Sequence, residues 1–189
     1  MNPVEEAIVT RRSLTRLCDP APSDAEVMAL VEKAMTAPDH GLLRPWRLVL
    51  IRGEVRRLLG VAFADETPGT EVKPLRAPLL ISIIFQPRLG HRVPEWEQLA
   101  ATSAMTHNLT LLLHSRGWGS IWRTGPMTGA PAVRKVLELG PEEKLLGWLY
   151  VGTRDPRLRV PSRPGADPYQ HVSRLSGRGL EEMRRCHVI

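Results

Sequence analysis

The stretch APLLISIIF, Ala77–Phe85, is an almost unbroken apolar run rich in isoleucine and leucine. Short apolar runs of this kind are typical of strands that are buried on both faces. A strand covered on both faces needs a layer of helices on each side of its sheet. The stretch therefore predicts a layered molecule in which helices flank a central sheet.

The segments around this stretch supply the other elements. Asn2 and Pro3 predict the start of a first helix, and Ser23 with Glu26 forms a capping-box pattern ahead of a second. The segment Pro94–Gly117 is small and apolar nearly all round, which predicts a central helix that also suits a subunit interface. Shorter helices are predicted near 55–64 and 132–137, and further strands at Trp46–Arg52, Trp118–Thr124 and Lys144–Gly152. The order of elements therefore predicts a sheet with helices over both faces, in the α+β or α/β class.

Composition sets limits on the class of protein. The chain has 189 residues, of which 42% are hydrophobic and 24% charged, the balance of one globular domain. No apolar run reaches the roughly 18–20 residues of a membrane span, and the N-terminus lacks a secretory signal pattern. Two cysteines, Cys18 and Cys186, are too few for a disulfide framework and lack metal-ligand spacing. We expect no membrane partner, no metal site and a reducing cytoplasmic location.

The net charge of +6 raises the question of nucleic-acid binding. The basic residues are spread along the chain, with groups at Arg11–Arg57 and Arg154–Arg185. No stretch alternates basic and aromatic residues in the manner of a strand that binds nucleic acid. We expect no nucleic-acid partner, because a few arginines that hold a phosphate, together with a basic tail, account for the charge equally well.

The stretch RRSLTR, Arg11–Arg16, follows the first predicted helix. Arg11, Arg12 and Ser13 can form a phosphate cradle, because guanidinium groups bind oxygens through two parallel hydrogen bonds and the hydroxyl adds another donor. The same arginines can instead offset the dipole at the C-terminal end of the helix. The pattern alone leaves both interpretations open.

The stretch GWGSIWRTGPMTG, Gly117–Gly129, holds two tryptophans, one arginine and four glycines. A flat, electron-accepting ligand accounts for this mixture, since it needs apolar walls, a nearby cation and close approach of the backbone. Arg123 would stabilise the negative charge that reduction places on such a ring, and Gly125 would leave room for it. A buried tryptophan beside a surface arginine is the alternative interpretation.

Other motifs narrow the chemistry further. In the irregular loop APDHGLLRPW, Ala37–Trp46, His40 can bind a ligand or cap the preceding helix. The chain carries no GxGxxG dinucleotide motif, no Walker A motif and no GxSxG nucleophile elbow. His91, His107 and His114 have no companions at zinc-ligand spacing.

Taken in order, these stretches resemble the nitroreductase family of FMN-dependent oxidoreductases, and its small, minimal-size subgroup in particular. The matching motifs are RRSLTR, APDHGLLRPW, RAPLLISI, RVPEWEQLAATSA, GWGSIWRTG and GWLYVGT, and the resemblance runs from about Val4 to about Val172. It implies a mixed, mainly antiparallel sheet flanked by helices, and a homodimer that exchanges extended C-terminal arms. It also implies one domain, residues 1–173, with a proline-rich arm at 153–173 and an extra tail at 174–189.

The resemblance implies two FMN sites, each built across the dimer interface. The implied cofactor-binding residues are Arg11, Arg12, Ser13, Thr36, His40, Trp122, Arg123, Thr124 and Gly125. The first three would contact the phosphate and the ribityl chain, and the last four would flank the ring from the partner subunit. His40 would approach the flavin from either subunit. Thr36 stands where many relatives carry arginine, which bears on FMN affinity and on the preferred reductant.

The resemblance implies an oxidoreductase that uses NADPH or NADH in a ping-pong cycle, with the flavin carrying the hydride and no protein side chain as catalytic acid. Nitroaromatics, quinones and enones would be the small-molecule acceptors. The segment Asp65–Lys73 is shorter than in many relatives, which implies an open or altered acceptor pocket. Relatives that dehydrogenate a biosynthetic substrate or fragment flavin with oxygen are the alternative within the family. A flavin- or nucleic-acid-binding protein without turnover is the alternative outside it.

Overall fold

The structure of the chain is a computed structural model that describes residues 1–157, 159–160 and 162–175. Its helices are α1 Pro3–Thr10, α2 Asp24–Ala34, α3 Arg56–Glu66, α4 Glu95–Ser115 and α5 Pro131–Val136. Its strands are β1 Leu17–Cys18, β2 Trp46–Arg52, β3 Leu79–Phe85, β4 Gly119–Arg123 and β5 Lys144–Arg154. The α+β fold is confirmed. The sequence missed only β1 among the strands, because two residues are too few to show a period.

The sheet is built around β3 and β5. β3 lies between β2 and β5 and pairs antiparallel with both. β5 also pairs antiparallel with β4 and, at its C-terminal end, with β1. One isolated parallel bridge joins Ser13 to Ser120. The sheet is therefore mixed but mainly antiparallel, as the resemblance implied.

Both faces of β3 are covered, and all seven of its residues are buried. Ile81 and Ile83 belong to a core cluster that contains residues of α2 and α4. Leu80 and Ile84 belong to a second cluster that contains residues of α3 and α5. The alternation follows from the period of two in a strand, and it confirms the layered arrangement predicted from Ala77–Phe85.

The N-terminal caps of α1 and α2 differ in detail from the sequence expectation. Asn2 and Glu5 form a reciprocal capping box on α1. Ser23 accepts the backbone N–H of Glu26 at 3.2 Å, as predicted. The Glu26 carboxylate, however, accepts the indole N–H of Trp118 at 2.7 Å, so only half of the predicted box forms. That bond ties α2 to the turn after α4.

Helix α4 packs against the sheet along one side. The residues buried on that side are Gln98, Ala101, Thr102, Met105, Thr106, Leu109, Thr110 and Leu113. Trp96 remains 69% exposed and Leu99 37% exposed. The interface role predicted for this helix would cover such apolar side chains, and it stays a prediction.

The chain leaves the sheet after β5 and runs as an exposed arm. Within the described part of this arm, the Arg163 guanidinium donates to the carbonyl of Arg11 at 3.0 Å and to that of Ile8 at 3.4 Å. The arm therefore touches the C-terminal end of α1 of the same chain. Exchange between subunits stays a prediction, and residues 176–189 of the predicted tail lie outside the described residues.

Candidate functional site

The RRSLTR segment lies beside the two strands at the end of the sheet. The backbone N–H of Leu14 donates to the carbonyl of Ser120 in β4 at 3.1 Å. The next residues form β1, where Leu17 pairs with Arg154 of β5. These contacts fix Arg11–Arg16 relative to β4, so two motifs that are more than a hundred residues apart in the sequence become neighbours.

Two glycines that pair across β4 and β5 make this approach possible. Gly119 faces Gly152 in the register of the two strands. A Cβ atom on Gly119 would lie 2.6 Å from a Leu17 methyl carbon, and one on Gly152 would lie 2.9 Å from the Cys18 carbonyl oxygen. Real Cβ atoms do not approach other atoms so closely. Gly152, which meets backbone and a proline ring, is therefore required for the N-terminal segment to lie against the sheet, whereas a side chain at Gly119 would have to displace the side chain of Leu17.

Four adjacent cavities form a groove from the end of α1 to the end of β4. We name them the N-terminal cavity, the connecting cavity, the central cavity and the aromatic cavity, with volumes of about 250, 110, 640 and 350 Å³. Successive cavities share lining residues, in order Leu14 and Arg154, Arg16 and Asp155, and Arg76 and Arg123. Both ends of this groove belong to one chain, although the resemblance assigns them to different subunits.

The N-terminal cavity carries concentrated positive charge. Arg11 and Arg12 line it together with His114. Burial lowers the pKa of Arg11, and the charges of Arg163 and Arg12 lower it further. Burial also lowers the pKa of His114, with Arg11 and Arg12 adding to the shift. A bound anion would relieve this repulsion, which favours the phosphate-cradle interpretation over simple compensation of the helix dipole.

The other two residues of the predicted cradle behave differently from Arg11. Arg12 donates through Nη1 to the Val9 carbonyl at 2.6 Å and to the Arg11 carbonyl at 3.0 Å, so part of its guanidinium caps α1. Ser13 lines the connecting cavity and is exposed. The two interpretations of RRSLTR therefore coexist, since one arginine caps the helix while its neighbours line the groove.

The central cavity combines four arginines with one buried carboxylate. The arginines are Arg16, Arg76, Arg123 and Arg157. Asp155 forms an ion pair with Arg157, with Nη2 and Oδ2 2.8 Å apart. This hydrogen-bonded pair lowers the pKa of Asp155 to about 2. The carboxylate therefore stays ionised and cannot serve as a proton donor near neutral pH.

The Trp122–Gly125 segment lines the aromatic cavity through its first three residues. The Trp122 indole donates to the Leu146 carbonyl at 3.0 Å, which fixes the ring on β5. The guanidinium carbon of Arg123 lies 5.5 Å from the centre of the Tyr150 ring, and its buried Nε has no partner among the described residues. Gly125 has φ +124°, and nothing lies within 4 Å of the position of a Cβ atom there. The backbone is therefore open at the end of β4.

Thr36 and His40 lie outside this groove in the same chain. The Thr36 hydroxyl donates to the Lys33 carbonyl at 2.8 Å and lines an apolar surface groove between α1, α2 and α4. His40 is exposed, and its Nδ1 lies 2.8 Å from a Glu97 carboxylate oxygen. The structure thus brings seven of the nine predicted site residues to one end of the sheet and leaves these two on another surface.

Sequence reasoning missed several residues that line the groove. Arg76 begins the matching motif RAPLLISI but was not among the predicted site residues. Tyr150 lies inside an apolar strand pattern, and Asp155 with Arg157 lies in the arm after it. Arg76, Asp155 and Arg157 share one signal, because each lies within a few residues of the end of a buried strand, whereas Tyr150 lies inside one. No spacing rule places the ends of four strands together before the sheet order is known.

Two kinds of function find no support in the part of the chain that the structure describes. The side chains there form no group of three or more histidines, cysteines or carboxylates suited to a metal ion. No helix among the described residues has both the length and the hydropathy to cross a membrane.

Comparisons with known proteins agree on one family. The model of the nitroreductase family matches residues 8–153. "Putative NAD(P)H nitroreductase YdjA" from Escherichia coli strain K12 is 32% identical over 165 residues, covering 82% of this chain and 89% of that protein. The nitroreductase-like family protein from Bacillus cereus has TM-score 0.82 and 23% identity, over 94% of this chain and 98% of that one. The FMN- and NADPH-dependent nitroreductase NfnB from sphigopyxis sp. strain HMH has TM-score 0.72 and 20% identity, over 92% and 99%. The chain belongs to the nitroreductase family.

Proposed function

We propose that this protein is an FMN-dependent oxidoreductase that uses NADPH or NADH to reduce small nitroaromatic, quinone or enone acceptors. The observation that carries the proposal is the groove within one chain, which joins a cation-rich cavity at Arg11 to an open backbone at Gly125. Family membership supports the redox chemistry. The names of YdjA and NfnB support the reductant, and that of NfnB also supports the cofactor.

The residues of the groove fit FMN at both ends. Arg11 has a lowered pKa and two cationic neighbours, so a phosphate dianion would find an unneutralised site there. Arg123 has a buried Nε without a partner, which a ligand oxygen or nitrogen would satisfy. The connecting cavity supplies a path for the ribityl chain from the N-terminal cavity to the central cavity. A phosphate in the N-terminal cavity and a flavin ring in the central cavity, which Arg123 also lines, match this distribution.

We assign the holding of FMN as follows. Arg11, Arg12 and Ser13 would bind the phosphate and the first part of the ribityl chain. Arg123, Thr124 and the backbone of Gly125 would lie beside the ring. When bound, FMN supplies the transfer of a hydride from the nicotinamide nucleotide to the acceptor.

The chain contributes electrostatics and positioning to this reaction. Arg16, Arg76 and Arg123 surround the central cavity and raise its positive potential, which stabilises negative charge that develops on a ligand there. Asp155 is ionised and paired, so it offers no proton. Tyr150 has its pKa raised to about 12 by burial, and it stays neutral near pH 7. The proposal therefore needs no acid from the protein.

We further propose that the protein acts as a homodimer in a ping-pong cycle. Thr36 and His40 line no part of the groove in their own chain, and both are exposed, which suits residues that complete the site of a partner subunit. Exposed apolar side chains on α1 and α4, among them Val4 and Trp96, support a subunit contact. The open groove would admit the nucleotide and the acceptor in turn. A reducing cytoplasm remains the expected location, because the sequence has only two cysteines.

An absorbance spectrum of the purified protein, followed by anaerobic addition of NADPH and then of NADH, tests the proposal. Flavin absorbance bands that bleach on addition support a reductase and identify the preferred nucleotide. Bands that persist with both nucleotides would contradict the reductase and favour a dehydrogenase. Colourless protein that takes up no added FMN would contradict the cofactor itself.

A further inference from the structure

We propose that the aromatic cavity selects anionic aromatic acceptors, such as aryl carboxylates, over neutral acceptors of the same shape. This inference rests on the proposed function and adds a substrate class to it. The walls of the cavity are aromatic and apolar, and its charged lining residues are all cations. The combination is suited to a planar ring that carries a negative substituent.

The walls come from the sheet and from α3. Phe63 packs edge to face on Trp148, with ring centres 5.1 Å apart and planes at 64°. Tyr150 of β5 pairs with Ile121 of β4, the residue before Trp122, and both Tyr150 and Trp122 line the cavity. Aromatic rings favour offset or edge-on contact with another ring. A cavity of about 350 Å³ with these walls matches one small aromatic molecule.

Three cations surround the same cavity without a carboxylate to neutralise them. Lys73, Arg76 and Arg123 line it, and no aspartate or glutamate among the described residues does so. None of the three has an ion pair within the described part of the chain. Lys73 and Arg123 are half-buried and Arg76 is exposed, and a half-buried cation normally finds a partner, because an uncompensated charge in a partly dry site is costly. A negative ligand would supply the missing charge.

Local structure aims two of these cations at one place. Lys73–Arg76 forms one turn of 3-10 helix, in which positions i and i+3 project from the same side. Pro74 is buried beneath that turn, and the following Ala77 is also buried. The short segment that precedes Lys73 therefore brings two positive charges to the rim of the cavity. This is the segment that the sequence singled out as short.

Neutral donors are also present at the cavity. Trp148 is 2% exposed, and its indole N–H has no hydrogen-bond partner among the described residues. Tyr150 keeps its proton because burial raises its pKa, although Arg123 and Arg76 oppose the shift. A lining with cations and neutral groups, but no anionic side chain, favours an acceptor with exposed oxygen atoms.

The cavity adjoins the proposed cofactor site, since Arg76 and Arg123 also line the central cavity. A ring bound in this cavity would therefore lie next to the proposed site of the flavin ring in the central cavity. The reaction remains the two-electron reduction of the acceptor, with NADPH or NADH as the electron donor. The cations bind the acidic substituent and take no part in the electron transfer.

The test compares 4-nitrobenzoate with its methyl ester, which has the same ring and nitro group but no charge. We expect kcat/KM to be at least about tenfold higher for the anion, although the ester is intrinsically the easier to reduce. Lys73→Met should lower this ratio by about tenfold. Lys135→Met is the matched control, because Lys135 lies exposed on α5 and loses the same charge. The control should leave the ratio unchanged.

An equilibrium measurement separates binding from turnover. Quenching of tryptophan fluorescence in the oxidised protein, without reductant, gives the Kd of each compound, since Trp122 and Trp148 line the cavity. The Kd of 4-nitrobenzoate should rise about tenfold in Lys73→Met and should rise with added salt in the wild type. The Kd of the ester should not respond to salt. Thermal unfolding of both variants checks that they fold.

Three results would overturn the inference. Equal kcat/KM for the two acceptors in the wild type would remove the charge preference. An equal fall of the kcat/KM ratio in Lys73→Met and Lys135→Met would show that the preference arises from the net charge of the protein and not from the cavity. A rise of KM for NADPH alone in Lys73→Met would assign the cations to the nucleotide phosphate. In each case the protein would still bleach with reductant, whereas failure of the proposed function would abolish bleaching and leave the fluorescence measurement intact.

Discussion

Arg47 and Arg123 are both half-buried arginines on strands of the same sheet, but their surroundings are opposite. Arg47 forms two hydrogen bonds to the Glu143 carboxylate, at 2.7 and 3.0 Å. Arg123 reaches no carboxylate in the described part of the chain, and its Nε is buried without a partner. An arginine with its partners in place stabilises the fold, while one without them costs stability and remains available to a ligand. The pairing of a cation therefore separates structural arginines from binding ones.

The largest expected effect is on folding. Arg47→Met should lower the free energy of unfolding by about 3 kcal/mol, because it leaves the mostly buried Glu143 carboxylate without its cation. Urea denaturation of the flavin-free protein measures the change. Glu143→Gln alone and together with Arg47→Met completes a double-mutant cycle. FMN affinity should not change in any variant that folds. A loss below about 0.5 kcal/mol would show that the pair is not structural.

The same pair should give stability a pH dependence. The hydrogen bonds from Arg47 lower the pKa of Glu143 from its ordinary 4.5 to about 2, with the Gly140 N–H and Gln86 adding to the shift. A carboxylate with a lowered folded-state pKa stabilises the protein above its unfolded pKa and loses that contribution as pH falls through the folded one. Denaturation between pH 5 and 2 should therefore remove about 2 kcal/mol in the wild type and little in Arg47→Met. Parallel curves for the two proteins would contradict this account.

Substitution of Arg11 in the predicted phosphate cradle should have the opposite effect to substitution of Arg47, because it should weaken FMN binding and leave stability unchanged. Arg11→Met should weaken FMN binding by about twentyfold, since one charge-assisted phosphate contact is lost. The flavin-free protein should keep its stability, because the Arg11 side chain is repelled by Arg163 and Arg12 in the unliganded state. Flavin fluorescence during titration of the flavin-free protein measures the Kd. An unchanged Kd together with a loss of stability would make Arg11 a helix-capping residue only.

The smallest expected effect, that of Arg123→Met, tests the comparison between Arg47 and Arg123 most directly. Arg123→Met is the same chemical change as Arg47→Met on another strand of the sheet. We expect FMN affinity or the rate of flavin reduction to fall by about fivefold, and the unfolding free energy to change by less than about 0.5 kcal/mol. The lost contact on Tyr150 is offset by removal of an unsatisfied donor. Titration, stopped-flow reduction and urea denaturation together would contradict the role if neither FMN property changed.

The sequence predicted where the helices and strands lie along the chain better than it predicted which strands pair with each other. Apolar runs and caps located the helices and the long strands, because burial and hydrogen bonding at helix ends are local constraints. The groove depended on which strands lie side by side. Arg76, Asp155 and Tyr150 acquired their roles only once β5 was seen to pair with β3, β4 and β1. Long-range pairing leaves no period in the sequence, so these residues could not be found by pattern.

The candidate site was predicted in part for a related reason. Residues in contiguous motifs, such as Arg11–Ser13 and Trp122–Gly125, were found because composition and resemblance both point to them. Thr36 and His40 lie on another surface of the chain, and their predicted role in FMN binding depends on the proposed second subunit. A residue that completes the site of a partner subunit need not lie near the corresponding site of its own chain. The position of such a residue can be tested only in the assembled protein.

The pair of glycines at 119 and 152 has a consequence for the order in which the chain folds. Leu14 bonds to Ser120 across more than a hundred residues, next to the point where Gly119 of β4 pairs with Gly152 of β5. Closing so long a loop is slow and follows the formation of shorter-range contacts. We therefore expect residues 11–18, which include the core residue Leu17, to dock after the shorter-range contacts have formed. A newly made chain would then complete the proposed anion-binding end last.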